Sequence, residues 1–126
     1  MMVKVAGVNH RIEAVAGWAA AARQAERDGR HYGLRLEPEP HNPHDQNAIA
    51  VYGTVGNDEW HIGYLDADMA KDVTEDILAR GLPIAAELYE IWVGDGGYTD
   101  IKMLVLAPPG NSEKARRKRK RDALSG

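Results

Sequence analysis

Leu36-Glu37-Pro38-Glu39-Pro40-His41-Asn42-Pro43-His44-Asp45-Gln46-Asn47-Ala48-Ile49-Ala50-Val51-Tyr52 sets a proline-constrained loop between two short apolar runs. Pro38, Pro40 and Pro43 lack the amide that a sheet ladder needs, and they restrict Glu37, Glu39 and Asn42 to extended backbone. The flanking runs, 33–37 and 48–52, therefore read as strands joined by an irregular connection. That connection carries His41, Asn42, His44, Asp45, Gln46 and Asn47, side chains that donate or accept hydrogen bonds. Residues 42–47 are the candidate site.

Outward from the loop, residues 3–8 alternate well enough for a first strand. Residues 13–28 are rich in alanine, a strong helix former, and Val15, Trp18, Ala19 and Ala22 recur at i, i+3, i+4 and i+7. Trp18 is the expected anchor of that helix and Gly29 its left-handed stop. Beyond the loop, 53–58 reads as a hairpin turn and 59–65 as its return strand. Asp66 is the expected cap of a second helix over 67–80. Asp66 and Asp68 lie at its positive end, Arg80 at its negative end, Gly81 and Pro83 follow, and Ala70, Val73 and Ile77 form its core face beside Met69 and Leu78. Two last strands, 84–93 and 100–106, are joined by Gly94-Asp95-Gly96-Gly97. Trp60 and Trp92 fall within strands and read as core or sheet-face residues. Gly63 reads as a bend or a close backbone approach. The pattern is mainly β with two helices (α+β), and it predicts a small OB-like, partly open β-barrel of five to six strands. Residues 1–110 are one domain with a helical insertion at about 13–29, and 111–126 are a basic, disordered tail.

With 126 residues the chain holds one domain and a tail. It has no cysteine, which excludes disulfides and thiol chemistry and fits a reducing, cytoplasmic compartment. No apolar run approaches the ~20 residues of a membrane span. The first residues reach Gly7 and His10 too soon for a signal peptide. The net charge of −3 conceals an asymmetry. Lys114, Arg116, Arg117, Lys118, Arg119, Lys120 and Arg121 oppose only Glu113 and Asp122, so residues 113–126 carry +5 and residues 1–112 carry −8. The seven basic residues are candidate phosphate contacts, with a merely solvated end as the plainer reading.

The loop sequence Asn42-Pro43-His44-Asp45-Gln46-Asn47-Ala48-Ile49-Ala50-Val51, the Glu37-Pro38 before it and Ile62-Gly63-Tyr64-Leu65 after it resemble the HIRAN domain. Its signature is Glu-Pro or Asp-Pro, then Asn-Pro-Tyr-Asp-x-Asn-Ala-Ile-x-Val, then Ile-Gly-Tyr-Leu. The resemblance implies a modified OB-like fold that binds DNA, with preference for a single-stranded 3′ end and without catalysis. It implies single-stranded DNA or DNA 3′ ends as the partner, and a DNA-processing protein as a further one. The chain resembles the free-standing members, and without a G-x-x-x-x-G-K-[ST] phosphate loop the ATPase activity of longer family members is not expected of it. Carried over residue by residue, Asp45 accepts the hydrogen bond of the terminal 3′-hydroxyl, and His44 stands where the family has a tyrosine beside the base. His10 and Tyr98 fall near family aromatics, and Tyr64 faces either the pocket or the core. Asn9 and Ala67 occupy positions where DNA-gripping members carry basic residues, and Arg11 and Lys71 are the nearest basic neighbours.

Plainer readings stand beside these. Asp45 and Asn47 are both residue types that close turns on their own backbone. His41, His44 and Asp45 are the candidates for a metal, with His10, His31 or His61 as further ligands, and a metal-dependent nuclease would need them. No cofactor is expected. The other alternative is a protein-interaction adaptor whose basic tail alone contacts nucleic acid.

Overall fold

Alternating apolar residues on either side of Gly56-Asn57 form the central hairpin of the chain, whose computed structural model describes residues 1–94 and 98–125. Strand β3 (Ile49–Val55) runs antiparallel to β4 (Asp58–Tyr64) on one side and to β2 (Tyr32–Pro38) on the other, giving a sheet ordered β2-β3-β4. A second antiparallel sheet has the order β1-β6-β5, from β1 (Met2–Lys4), β5 (Ala85–Val93) and β6 (Thr99–Leu106). The helices are α1 (Ile12–Asp28), α2 (Ala67–Asp76) and α3 (Glu113–Ser125), and short 3₁₀ turns cover Val8–His10 and Leu78–Arg80. Residues 95–97 of the expected last connection lie outside the described residues.

The chain is α+β, with six strands and three helices among the described residues, and the barrel is not closed. Two features stop closure. β2 and β5 lie side by side but share no ladder. On the other side the join is one residue wide: Val5 donates its amide to Ile101 O of β6 (2.9 Å), whereas Ala6 exchanges both hydrogen bonds with Tyr64 of β4 (2.8 and 2.9 Å). The segment after β1 thus crosses from one sheet to the other. Gly63 makes the crossing possible, because a Cβ there would collide with the Ala6 carbonyl.

The core lies between the inner faces of the two sheets, closed by α1 and α2, and Trp18, Ile49, Val51, Ile62, Val73, Ile101 and Met103 are fully buried within it. Trp18 anchors α1 as its stripe predicts. Its indole lies over Gly53 of β3 and donates to Thr54 O at 3.3 Å. Gly53 is therefore not part of a turn, as expected from sequence, but a strand residue left bare so that a tryptophan can lie on it; the turn is Gly56-Asn57. A reciprocal pair sets Trp60 of β4 against Gly17 of α1. Gly29 ends α1 with φ 70°, as expected.

Two helix expectations need correction. The second helix does not run to residue 80: Ile77 leaves helical geometry (φ −122°), and Leu78–Arg80 form a separate turn. Asp66 precedes α2 with non-helical dihedrals, but its carboxylate makes no capping bond; its backbone oxygen accepts from the Ala70 amide at 2.7 Å. The basic segment is not an irregular tail. Ser112 Oγ accepts from the Ala115 amide (3.1 Å) and starts α3, and Arg116, nearly buried, reaches Asp76 of α2. No helix among the described residues is long and apolar enough to cross a membrane.

Candidate nucleic-acid interface

The loop between β2 and β3 is closed by its own side chains. Asn42 is the organiser. Its Oδ1 accepts from the backbone amides of His44 (2.9 Å) and Asp45 (3.2 Å), and its Nδ2 donates to Glu39 Oε1 (3.0 Å). Asp45 Oδ1 in turn accepts from the Asn47 amide at 2.9 Å, and Ala48 N donates to Asp45 O, handing the chain to β3. Such side-chain-to-backbone bonds replace the ladder that the prolines forbid. Among the described residues, Asp45 Oδ2 accepts no hydrogen bond. The turn-closing and ligand-binding readings of Asp45 are therefore compatible: one oxygen closes the turn and the other is left to accept. The imidazole of His44 is exposed beside it.

Tyr64 ties this loop to the sheet. Its hydroxyl donates to Glu39 Oε1 at 3.0 Å, the same oxygen that accepts from Asn42. Burial, followed by this hydrogen bond to Glu39, pushes the phenol above its ordinary pKa. Tyr64 thus faces the loop rather than the core. Arg11 lies over its ring, 5.6 Å from the centroid. The ring edge meets His61, which stacks on Tyr52 (both pairs 4.9 Å between centroids), and Arg35 covers the far face of Tyr52 at 4.6 Å. Arg35 is also paired with Glu37 and Glu59, whose hydrogen bonds raise its pKa further. His61 Nε2 donates to Gly63 O (3.0 Å), and desolvation, then the Arg11 charge, holds its pKa below the usual imidazole value. Both faces of Tyr52 are occupied, so this column is a self-contained support for Tyr64.

The other sequence candidates divide. Asn9 and His10 are exposed in the 3₁₀ turn leading to Arg11, and Asn9 lines a cleft with Ile12, Val93 and Thr99. Tyr98 is 49% exposed and packs edge-on against Trp92 (6.0 Å), itself 51% exposed rather than core. No described contact joins Tyr98 to Asp45. Ala67 and Lys71 are exposed on α2. His41, His44 and Asp45 do not converge: among the described residues, no three His, Asp or Glu side chains form a group that could hold a metal ion.

A profile of the HIRAN domain matches residues 5–90. The chain belongs to the HIRAN domain family. HIRAN domains are DNA-binding domains, which makes nucleic acid the ligand class. The matched span of this HIRAN domain takes in Arg11, the 39–47 loop and Tyr64, and it ends within β5, before Tyr98 and α3. No curated protein and no solved structure matches the chain.

Sequence reasoning misses Glu39 and Asn42 as the frame of the loop and names Arg11 only as a basic neighbour. The Asn42-Pro43 dipeptide was a usable signal, since Asn-Pro favours turn initiation. Nothing local marks Glu39, whose role depends on Tyr64, 25 positions away in sequence.

Proposed function

We propose that this HIRAN domain binds single-stranded DNA and reads a free 3′-hydroxyl end through Asp45, without catalysing a reaction on it. The supporting observation is the carboxylate itself, held by Oδ1 in the turn with Oδ2 unengaged among the described residues. A terminal 3′-hydroxyl is a donor that an internal nucleotide lacks, and an ionised carboxylate only accepts. A terminal phosphate would meet the same carboxylate with like charge. His44, next to Asp45 in sequence, and His10, exposed in the turn before Arg11, offer flat side chains for the terminal base, Tyr64 fixes the loop, and Arg11 supplies a cation at the rim. Tyr98 contributes a further stacking surface. The natural ligand follows as a single-stranded 3′ end, in a cytoplasmic setting and in company with DNA-processing proteins.

Fluorescence anisotropy with two oligonucleotides, alike except for a 3′-hydroxyl or a 3′-phosphate, tests the reading. Tighter binding of the hydroxyl end is expected. Equal affinities would sink end recognition while leaving DNA binding intact.

One observation favours the adaptor as a second reading: Tyr89, Trp92, Val93 and Tyr98 are large apolar side chains exposed on or beside β5. In that case DNA affinity would be indifferent to Asp45 and would depend on α3 alone.

A further inference from the structure

α3 carries its cations on two sides. On one side, Asp76 of α2 gathers three of them. Its Oδ2 lies 3.0 Å from Lys120 Nζ and 3.5 Å from Arg116 Nη1, and its backbone oxygen accepts from Arg119 Nη2 at 3.4 Å. Arg119 also donates to Asn111 Oδ1 at 2.9 Å. Arg116 is only 5% exposed, and the hydrogen bond to Asp76 is the main reason that the Lys120 pKa is raised. These three residues latch the helix to the body. On the other side, Lys114, Arg117, Lys118 and Arg121 fall at i, i+3, i+4 and i+7, and all four are exposed. Among the described residues only Arg117 of this set has an acidic partner, Glu113 one turn back, and that pair is itself exposed.

We infer that α3 is a docked phosphate-binding ridge, in which Lys114, Arg117, Lys118 and Arg121 contact a DNA backbone while Arg116, Arg119 and Lys120 hold the helix in place. Charge decides the occupant. The ridge is the concentrated positive surface of a chain whose residues 1–112 carry −8, and its host is a DNA-binding domain. Its length fits: seven residues rise about 10 Å, close to three nucleotides of one strand at about 3.4 Å each. Its position fits as well. α2 bears the latch at Asp76 and, two residues earlier, Thr74, whose hydroxyl donates to Asn47 O in the loop at 3.4 Å. The ridge and the loop are thereby fixed to one helix. The ridge needs no DNA end, so it goes beyond the reading of Asp45.

The test uses the full chain and a dye-labelled circular single-stranded oligonucleotide, which has no 3′ end, titrated over a series of salt concentrations. The variant Lys114→Gln/Arg117→Gln/Lys118→Gln/Arg121→Gln should lower the slope of log affinity against log salt by about 3, from four contacts at about 0.7 each. The variant Arg116→Gln/Arg119→Gln/Lys120→Gln should change it by less than about 1, because those side chains face Asp76. Slopes that fall in proportion to the charges removed in both variants would overturn the division into ridge and latch. An unchanged slope in the first would overturn contact with DNA. So would loss of binding to phosphatidylserine vesicles with the DNA slope intact, which would assign the ridge to a lipid surface. Because the circle has no end, a failure of 3′-hydroxyl recognition leaves this result readable by itself.

Discussion

Asp45→Asn separates the two tasks assigned to one carboxylate. A carboxamide keeps an oxygen where Oδ1 accepts the Asn47 amide at 2.9 Å, so the turn survives. At the position of Oδ2 it places an NH2 group, a donor. The 3′-hydroxyl then loses a charge-assisted hydrogen bond and keeps at best a neutral one, a cost of about 1 kcal/mol. A 3′-phosphate gains from the same change. Two unit charges 4 Å apart repel by about 1 kcal/mol in bulk water and by about 4 kcal/mol near a protein surface, and the substitution removes that repulsion. The preference for hydroxyl over phosphate should thus shrink by about 2 kcal/mol or more, roughly 30-fold, measured as a ratio of dissociation constants by anisotropy at fixed salt and pH 7. Asp45→Ala provides the contrast. It removes the turn acceptor as well, leaving the Asn47 amide without its partner, and should lower stability by about 1 kcal/mol, or roughly 4 °C in Tm. A hydroxyl preference that persists in Asp45→Asn at unchanged Tm would refute the assignment of Oδ2 to the DNA end.

The packing of α1 on the sheet predicts opposite fates for two glycines. Gly53→Ala drives a methyl into the Trp18 ring in the middle of the core and should cost roughly 2 kcal/mol by urea denaturation. Gly17→Ala brings its Cβ within 3.0 Å of Trp60 Nε1, on a half-buried ring with room to give, and gains helix propensity of about 1 kcal/mol; the net change should stay near zero. Equal losses at the two sites would contradict the packing described. His61 predicts a dependence on pH. Its pKa is lower folded than unfolded, so the neutral form contributes stability above the ordinary imidazole value of about 6.5, and that contribution is lost as the pH falls through the lowered folded value. Between pH 7 and pH 5.5 the urea midpoint of the natural chain should fall more steeply than that of His61→Gln; parallel declines would show that His61 is not responsible.

Much of the fold was legible from local pattern. The alanine-rich run, Trp18 in its stripe and Gly29 at its end specified α1, and the prolines separated β2 from β3. The errors arose where contacts distant in sequence decide. Gly53 looks like a turn residue until Trp18, 35 positions earlier, is seen to occupy its empty side chain. A barrel follows naturally from a count of short strands, but closure depends on β2 and β5 forming a ladder, and no local feature encodes that. For α3, charge density outweighed other signals. Ser112 in capping position, Glu113 in the first turn and an absence of glycine or proline through residue 125 all favoured a helix. The partner Asp76, 40 positions from Arg116, was invisible to composition. Within the site, the motif exposed Asp45 but not its support, since Asn42 acts through its own backbone neighbours and Glu39 through Tyr64.

Tyr64 belongs to two systems at once. Its backbone amide and carbonyl grip Ala6 where the chain passes between sheets, and its hydroxyl holds Glu39 in the loop. A ligand that steadies the loop also steadies this seam, because any opening that parts Ala6 from Tyr64 disturbs the residue beneath the bound strand. Occupancy would then be recorded in the deuterium uptake of two amides, those of Ala6 and Tyr64. At a hundredfold excess over Kd the stabilisation available through linkage is about 2.7 kcal/mol, enough to slow exchange at that seam about a hundredfold.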